Sequence, residues 1–165
     1  MKNKTKKTNT KKNQTYGPEK KTDGKLQEKI CELKLYANCT FRNLTIDSFS
    51  CVFVNCVFEN CQFRDINTSK FIVCMFKNSV FNQRVDCTTF SQCQNLVFES
   101  NRVEHCFIKL TEGLTANNSC LICCVVMNCT KIQMEKTELR YSSVSSHTYM
   151  EFSEMKMRKS DIYAL

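Results

Sequence analysis

Thirteen cysteines, two histidines and a lysine-rich start are the features of this 165-residue sequence that could do chemistry. Cysteine and histidine can hold zinc, or pair as nucleophile and base. Cys120, Cys123, Cys124, Cys129 and Cys106 have the density of a zinc site. Structural zinc, however, needs two ligand pairs converging on one tetrahedron. Cys124 and Cys129 instead stand five apart, as do Cys51, Cys56 and Cys61. Thiols repeated in that way read as small buried hydrophobes rather than ligands, so no metal and no cofactor is expected. Cys31, Cys39, Cys87 and Cys93 fall outside that frame and are expected at the surface. A nucleophile pair would have to join His105 to Cys87 or Cys124, because His105 and its neighbour Cys106 point opposite ways on a strand. Phosphate loops, serine elbows and His-Glu-x-x-His are absent, and carboxylates such as Glu59, Asp65 and Glu99 stand singly. No catalytic residue is expected.

Lys2, Lys4, Lys6, Lys7, Lys11 and Lys12 are candidate contacts for nucleic acid or another anion. Residues 1–30 carry ten lysines against Glu19, Asp23 and Glu28, so they supply +7 of the formal +8. Residues 1–24, with Tyr16 as their one large apolar group, read as a disordered basic arm. No aromatic residues interleave the lysines for base stacking. Over residues 25–35, Leu26, Ile30 and Leu33 are spaced like the apolar stripe of a short capping helix, with Asp23 able to cap its start. The start of the chain lacks the apolar core of a signal peptide, and no run reaches the roughly 18 apolar residues of a membrane span. The expected location is cytoplasmic or nuclear, with reduced cysteines. Seven Asn-x-Ser/Thr sequons, at Asn3, Asn13, Asn38, Asn43, Asn67, Asn117 and Asn128, keep a secreted glycosylated module as an alternative.

The element that must position everything else is a period of five. Residues 51–65 read Cys-Val-Phe-Val-Asn, Cys-Val-Phe-Glu-Asn, Cys-Gln-Phe-Arg-Asp. Apolar residues recur in steps of two and three, which suits neither a helix nor simple alternation. A chain with that pattern turns a corner once per repeat. The inward positions are Cys51, Phe53, Cys56, Phe58, Cys61 and Phe63, then Phe76 and Phe81, then Cys124, Cys129, Leu139 and, near the end, Ile162. Residues 82–118 lack a clear frame, with Phe90 and Phe98 as inward anchors. Three glycines and one proline are few for so many turns, so the repeat itself must form the corners.

Small-x-large-x-x in tandem resembles the pentapeptide-repeat family, and Ser160-Asp161-Ile162-Tyr163-Ala164 is close to that family's usual Ala-Asp/Asn-Leu-x-x. The resemblance covers residues 37–165. It implies an all-β, right-handed, four-sided parallel β-helix with one repeat per side and twenty residues per coil, hence about six coils. Residues 70–81, with Cys87, also resemble the lumenal pentapeptide-type loop of synaptic vesicle glycoproteins over a short stretch. Family members that mimic DNA and bind topoisomerases carry strongly acidic coils. Here residues 31–165 hold fourteen basic and thirteen acidic side chains, so that role does not fit. The expected function is a non-enzymatic scaffold that binds a protein partner along its coil faces. A scaffold tethered to nucleic acid by its arm is the alternative, and a second copy of the chain is a further candidate partner.

Overall fold

A computed structural model describes residues 14–16, 27–146 and 148–164 of the chain. They form a parallel β-solenoid of about eight turns, and every strand belongs to one parallel sheet that winds around the core. Inward residues stack in four columns, one per side. On side 1 the column is Tyr36, Phe53, Phe71, Phe90, Ile108, Val126, Val144 and Ile162, each in register with the next. Side 2 stacks Phe41, Phe58 and Phe76. Side 3 runs from Ile46 through Phe63, Phe81, Phe98, Ala116 and Met134 to Phe152. Side 4 stacks Ile66, Val85, Val103, Leu121, Leu139 and Met157.

The first turns have an aromatic core because the large position is Phe on three sides. Rings stack along the axis, with Phe41–Phe58 centroids 4.8 Å apart, Phe53–Phe71 4.8 Å and Phe63–Phe81 4.2 Å. Neighbouring sides meet edge to face, as Phe58 and Phe63 do at 70°. Both arrangements are favoured for aromatic pairs. The small positions are filled by Cys, Ser and Thr in an interchangeable way. Cys56 Sγ donates to Val54 O and Tyr36 O, and Ser79 Oγ donates likewise to Lys77 O and Phe58 O. A thiol here is therefore a compact donor bridging two turns as well as an apolar filler.

Corners among the described residues are built almost entirely without glycine, Gly113 being the exception. Among the described residues, twenty-three other than glycine have positive φ, Asn38, Asn43, Asn55, Asn60 and Asn78 among them. Asparagine tolerates this left-handed region better than most residues. Its amide also bonds along the axis, as in Asn55 Nδ2 to Asn38 Oδ1 at 2.8 Å. Most corner N–H groups donate to a carbonyl of the following turn, for example Asn55 N to Ile72 O at 3.0 Å.

Three expectations are corrected. The turn is 17 to 19 residues long rather than twenty, as the sequence separations of the stacked hydrogen-bonded side chains show. Shorter turns, and a start before residue 37, give about eight of them instead of six. The helix expected over 25–35 is, where described, the strand Gln27–Glu32, paired in register with Leu44–Phe49. Ile30 and Leu33 are 64% and 83% exposed, so their spacing marks no buried stripe; Cys31 is the buried residue. Sheet pairing satisfies the backbone of the whole segment and overrides its weak helical pattern. Within the arm expected over 1–24, Gln14–Tyr16 is a strand paired with Cys39–Phe41.

The turn is shortened at different places along the axis. Around Phe53 the chain has left-handed corners at Ser50, Asn55, Asn60 and Thr68, and sides 3 and 4 run together in the strand Gln62–Asn67. From Cys87 onward the corners fall at Cys87, Gln92, Asn95, Ser100 and His105. Side 4 is now a full side, and side 2 has shrunk to Cys93, Gln94 and Asn95. The aromatic column of side 2 ends there, since Asn95 occupies the register of Phe76 and points outward. The lost volume is replaced on side 3, where buried Leu96, Leu114 and Ile132 follow Cys61 and Ser79 at the small position. This exchange produces the ragged sequence of 82–118, while Phe90 and Phe98 are fully buried.

Candidate functional site: four outer sides and one corner cluster

The inward residues named from the sequence are at most 1% exposed for Cys51, Phe53, Cys56, Phe58, Cys61, Phe63, Phe76, Phe81, Cys124, Cys129 and Leu139, and Ile162 is partly buried against them. They are structural and offer nothing to a ligand. Burial pushes the thiols of Cys61 and Cys93 up to about 11, so both are inert at neutral pH. Cys31, Cys39 and Cys93, expected at the surface, are buried, whereas Cys87 and Cys123 are exposed. Lys2 to Lys12 lie outside the described residues, as does His147.

What remains for function is the outer surface, and its four sides differ. Side 4 is laced with ion pairs: Arg84 with Asp86 at 3.0 Å, Arg102 with Glu104 at 2.9 Å, Arg140 with Glu138 at 2.7 Å. Side 2 begins with Glu59 held between Arg42 at 2.6 Å and Lys77 at 3.4 Å. Beside it on side 3, Arg64 grips Asp47 at 2.6 Å and Glu28 at 2.8 Å. The hydrogen bond from Arg64 holds the Asp47 carboxyl below its ordinary range, against the opposing effect of burial. Further along the axis the shortened side 2 opens a shallow groove lined by Asn95, Gly113, Lys131 and Tyr149.

Side 1 is unlike the others. Its outward positions carry Leu35, Ala37, Val52, Val54, Ile72, Phe107, Val125 and Met127, with Lys70 and Lys109 as the charges and the uncharged polar residues Thr89, Ser91, Ser143 and Ser145 on two of its strands. No carboxylate stands on it until Asp161, among the described residues. Exposed apolar residues also flank it at the corners: Leu33 at 83%, Val73 at 46%, Leu110 at 50% and Tyr141 at 49%.

One corner brings together His105 and Cys87, one of the two pairs the sequence allowed, and adds Asp86 to them. Asp86 pairs with Glu104 across adjacent turns, and Cys87 and His105 are the corner residues that follow. His105 Nδ1 lies 3.1 Å from Asp86 Oδ1, and Cys87 Sγ lies 3.3 Å from the same oxygen. The hydrogen bond to Asp86 pushes the Cys87 thiol up, aided by desolvation. That argues against a ready thiolate nucleophile, and the cluster sits on a convex corner with nothing to enclose a substrate.

Columns stacked along one axis around a solid core define this chain as a parallel β-solenoid, a fold consistent with that of pentapeptide-repeat proteins. Two solved structures share this fold. A trypsin-treated variant of QnrB1, described as a plasmid-mediated fluoroquinolone resistance protein, aligns with a TM-score of 0.55 at 15% identity, covering 83% of this chain and 92% of that one. A second trypsin-treated QnrB1 variant gives 0.50 at 14% identity over 84% and 92%. The Streptococcus pneumoniae surface protein and adhesin PfbA aligns at 0.39 and 8% identity over 84% of this chain and 63% of its own. No protein-family profile and no curated protein sequence matches the chain. No helix among the described residues is long and apolar enough to cross a membrane.

Proposed function

We propose that this chain is a non-enzymatic scaffold that binds a protein partner along the outer surface of side 1. The observation that carries the reading is the contrast between sides. Side 1 is apolar and without carboxylates for most of its length, while sides 2, 3 and 4 hold Glu59, Asp47, Asp86 and Glu104 in ion pairs. Clustered apolar surface on a folded domain marks an interaction site, and here it forms two stretches, Leu35 to Ile72 and Phe107 to Met127, joined across the uncharged Thr89 and Ser91. Eight strands about 4.8 Å apart give a face roughly 34 Å long. That length matches a helix of about 23 residues at 1.5 Å rise. With Lys70 and Lys109 as the charges on the face, the fitting partner segment has an apolar stripe and acidic flanks.

The test is to introduce Ile72→Glu and Val125→Glu separately and to compare each with Gln133→Glu on side 3. All three positions face outward, so the melting temperatures should stay close to that of the parent. The two side 1 substitutions should each weaken partner binding by at least about 2 kcal/mol, as expected for anchors of an interface. The side 3 substitution should leave it unchanged. Equal effects from all three would remove the case for side 1.

A further inference from the structure

We propose that Asp86, Cys87 and His105 form a surface site for one thiophilic divalent cation of the zinc class. The three side chains come from two turns, yet their ligand atoms all lie within 4.8 Å of one another. The fold holds them there for a reason visible in the backbone. Cys87 and His105 both sit at left-handed corners, with φ of 47° and 51°. Their N–H groups donate to the next turn, Cys87 N to Glu104 O at 3.1 Å and His105 N to Ile122 O at 3.0 Å. Successive corners of one edge therefore present their side chains one above the other, and the pairing of Asp86 with Glu104 brings the carboxylate alongside.

Zinc bonds of 2.0–2.3 Å at tetrahedral angles place ligand atoms about 3.3–3.8 Å apart. Two edges of the cluster, at 3.1 Å and 3.3 Å, lie just below and at the lower end of that range. The remaining edge, from Cys87 to the imidazole, needs to close by at most about 1 Å. Thiolate, imidazole and carboxylate oxygen are a common zinc donor set. A fourth position is left to water or to Cys123, the exposed corner residue of the following turn. The charged neighbours are accounted for. Arg84 bonds the other carboxylate oxygen, Oδ2, at 3.0 Å and is 55% exposed, so it leaves Oδ1 free and has Glu104 at 3.6 Å as a second partner. Glu104 itself is held by Arg102 at 2.9 Å. The buried cysteines stay outside this site.

Cobalt(II), which reports thiolate ligation by an intense near-ultraviolet charge-transfer band, is the probe. Titrated into the fully reduced protein it should produce that band with an endpoint at one equivalent, and zinc should bleach it. Cys87→Ser should abolish the band. His105→Asn, which keeps a residue suited to positive φ, should weaken binding by at least about tenfold. Arg84→Ala should tighten binding by removing a nearby like charge. Circular dichroism and melting of each variant check that these exposed substitutions leave the fold intact. The assignment is overturned by an absent band, by a band that survives Cys87→Ser but is lost in Cys120→Ser or Cys123→Ser, or by an Arg84→Ala variant that binds no more tightly.

Discussion

Neighbouring residues in this chain have opposite fates, and Phe58 and Glu59 show it. Phe58 is fully buried, stacked on Phe41 and Phe76 at 4.8 Å and 5.2 Å. Phe58→Ala should cost about 3–5 kcal/mol in denaturant unfolding, because the stack cannot collapse around the hole. Glu59→Ala loses only surface ion pairs and should cost within about 0.5–1 kcal/mol. Equal costs would mean that the inward frame is wrong. Asp47 gives a pH prediction. Its folded-state pKa is lowered by Arg64 from 3.8, so the contribution of the pair is present above that value and is lost as pH falls through the folded pKa. Asp47→Asn should therefore be less stable than the parent at pH 7, with the difference shrinking in acid. A difference that grew on acidification would contradict the pairing. Thiol labelling of the native protein should find Cys87 and Cys123 fast and Cys120 slower, with Cys56, Cys61 and Cys93 reactive only after unfolding.

At the scale of the elements, the corners decide the shape. Gly113 is a corner with φ of 74°, and an added Cβ would lie 3.2 Å from Asn95 Oδ1. Gly113→Ala should destabilise by about 1–2 kcal/mol, since alanine resists this region and Asn95 must also give way. Thermal melting checks it, and a stabilised variant would show that this corner is not built as described. How far these elements can be read in the sequence follows from the same geometry. Residues 51–63 are legible because Cys and Phe hold the small and large positions on three sides in succession. The shortened sides are not legible, because each offers one inward residue, such as Ile66 or Val85, and no repeating partner. The strand at Gln27–Glu32 was hidden by spacing that imitates a helix, when it is the pairing with Leu44–Phe49 that determines it. The sequence offered His105 with Cys87 or with Cys124 but could not choose between them or add Asp86, for a related reason. A twenty-residue coil would have set Cys87 against Phe107, and only the shorter turn aligns it with His105.

The whole molecule is a rod with a closed core and four unlike sides, and the proposed function turns on which side would meet a partner. Stability is spread along the axis, as in other solenoids where each turn contacts its neighbours. A partner that lies along one side therefore touches many turns at once, while a partner that binds a single turn would not need apolar residues on several turns of side 1. Photo-cross-linking in the protein's own cells tests this most directly. A benzophenone side chain is placed at Ile72 or Val125 on side 1, or at Gln133 on side 3. The account predicts the same discrete adduct from Ile72 and from Val125, lost when Val54→Glu is added, and none from Gln133. An adduct from Gln133 with none from side 1, or no adduct from any position, would contradict it.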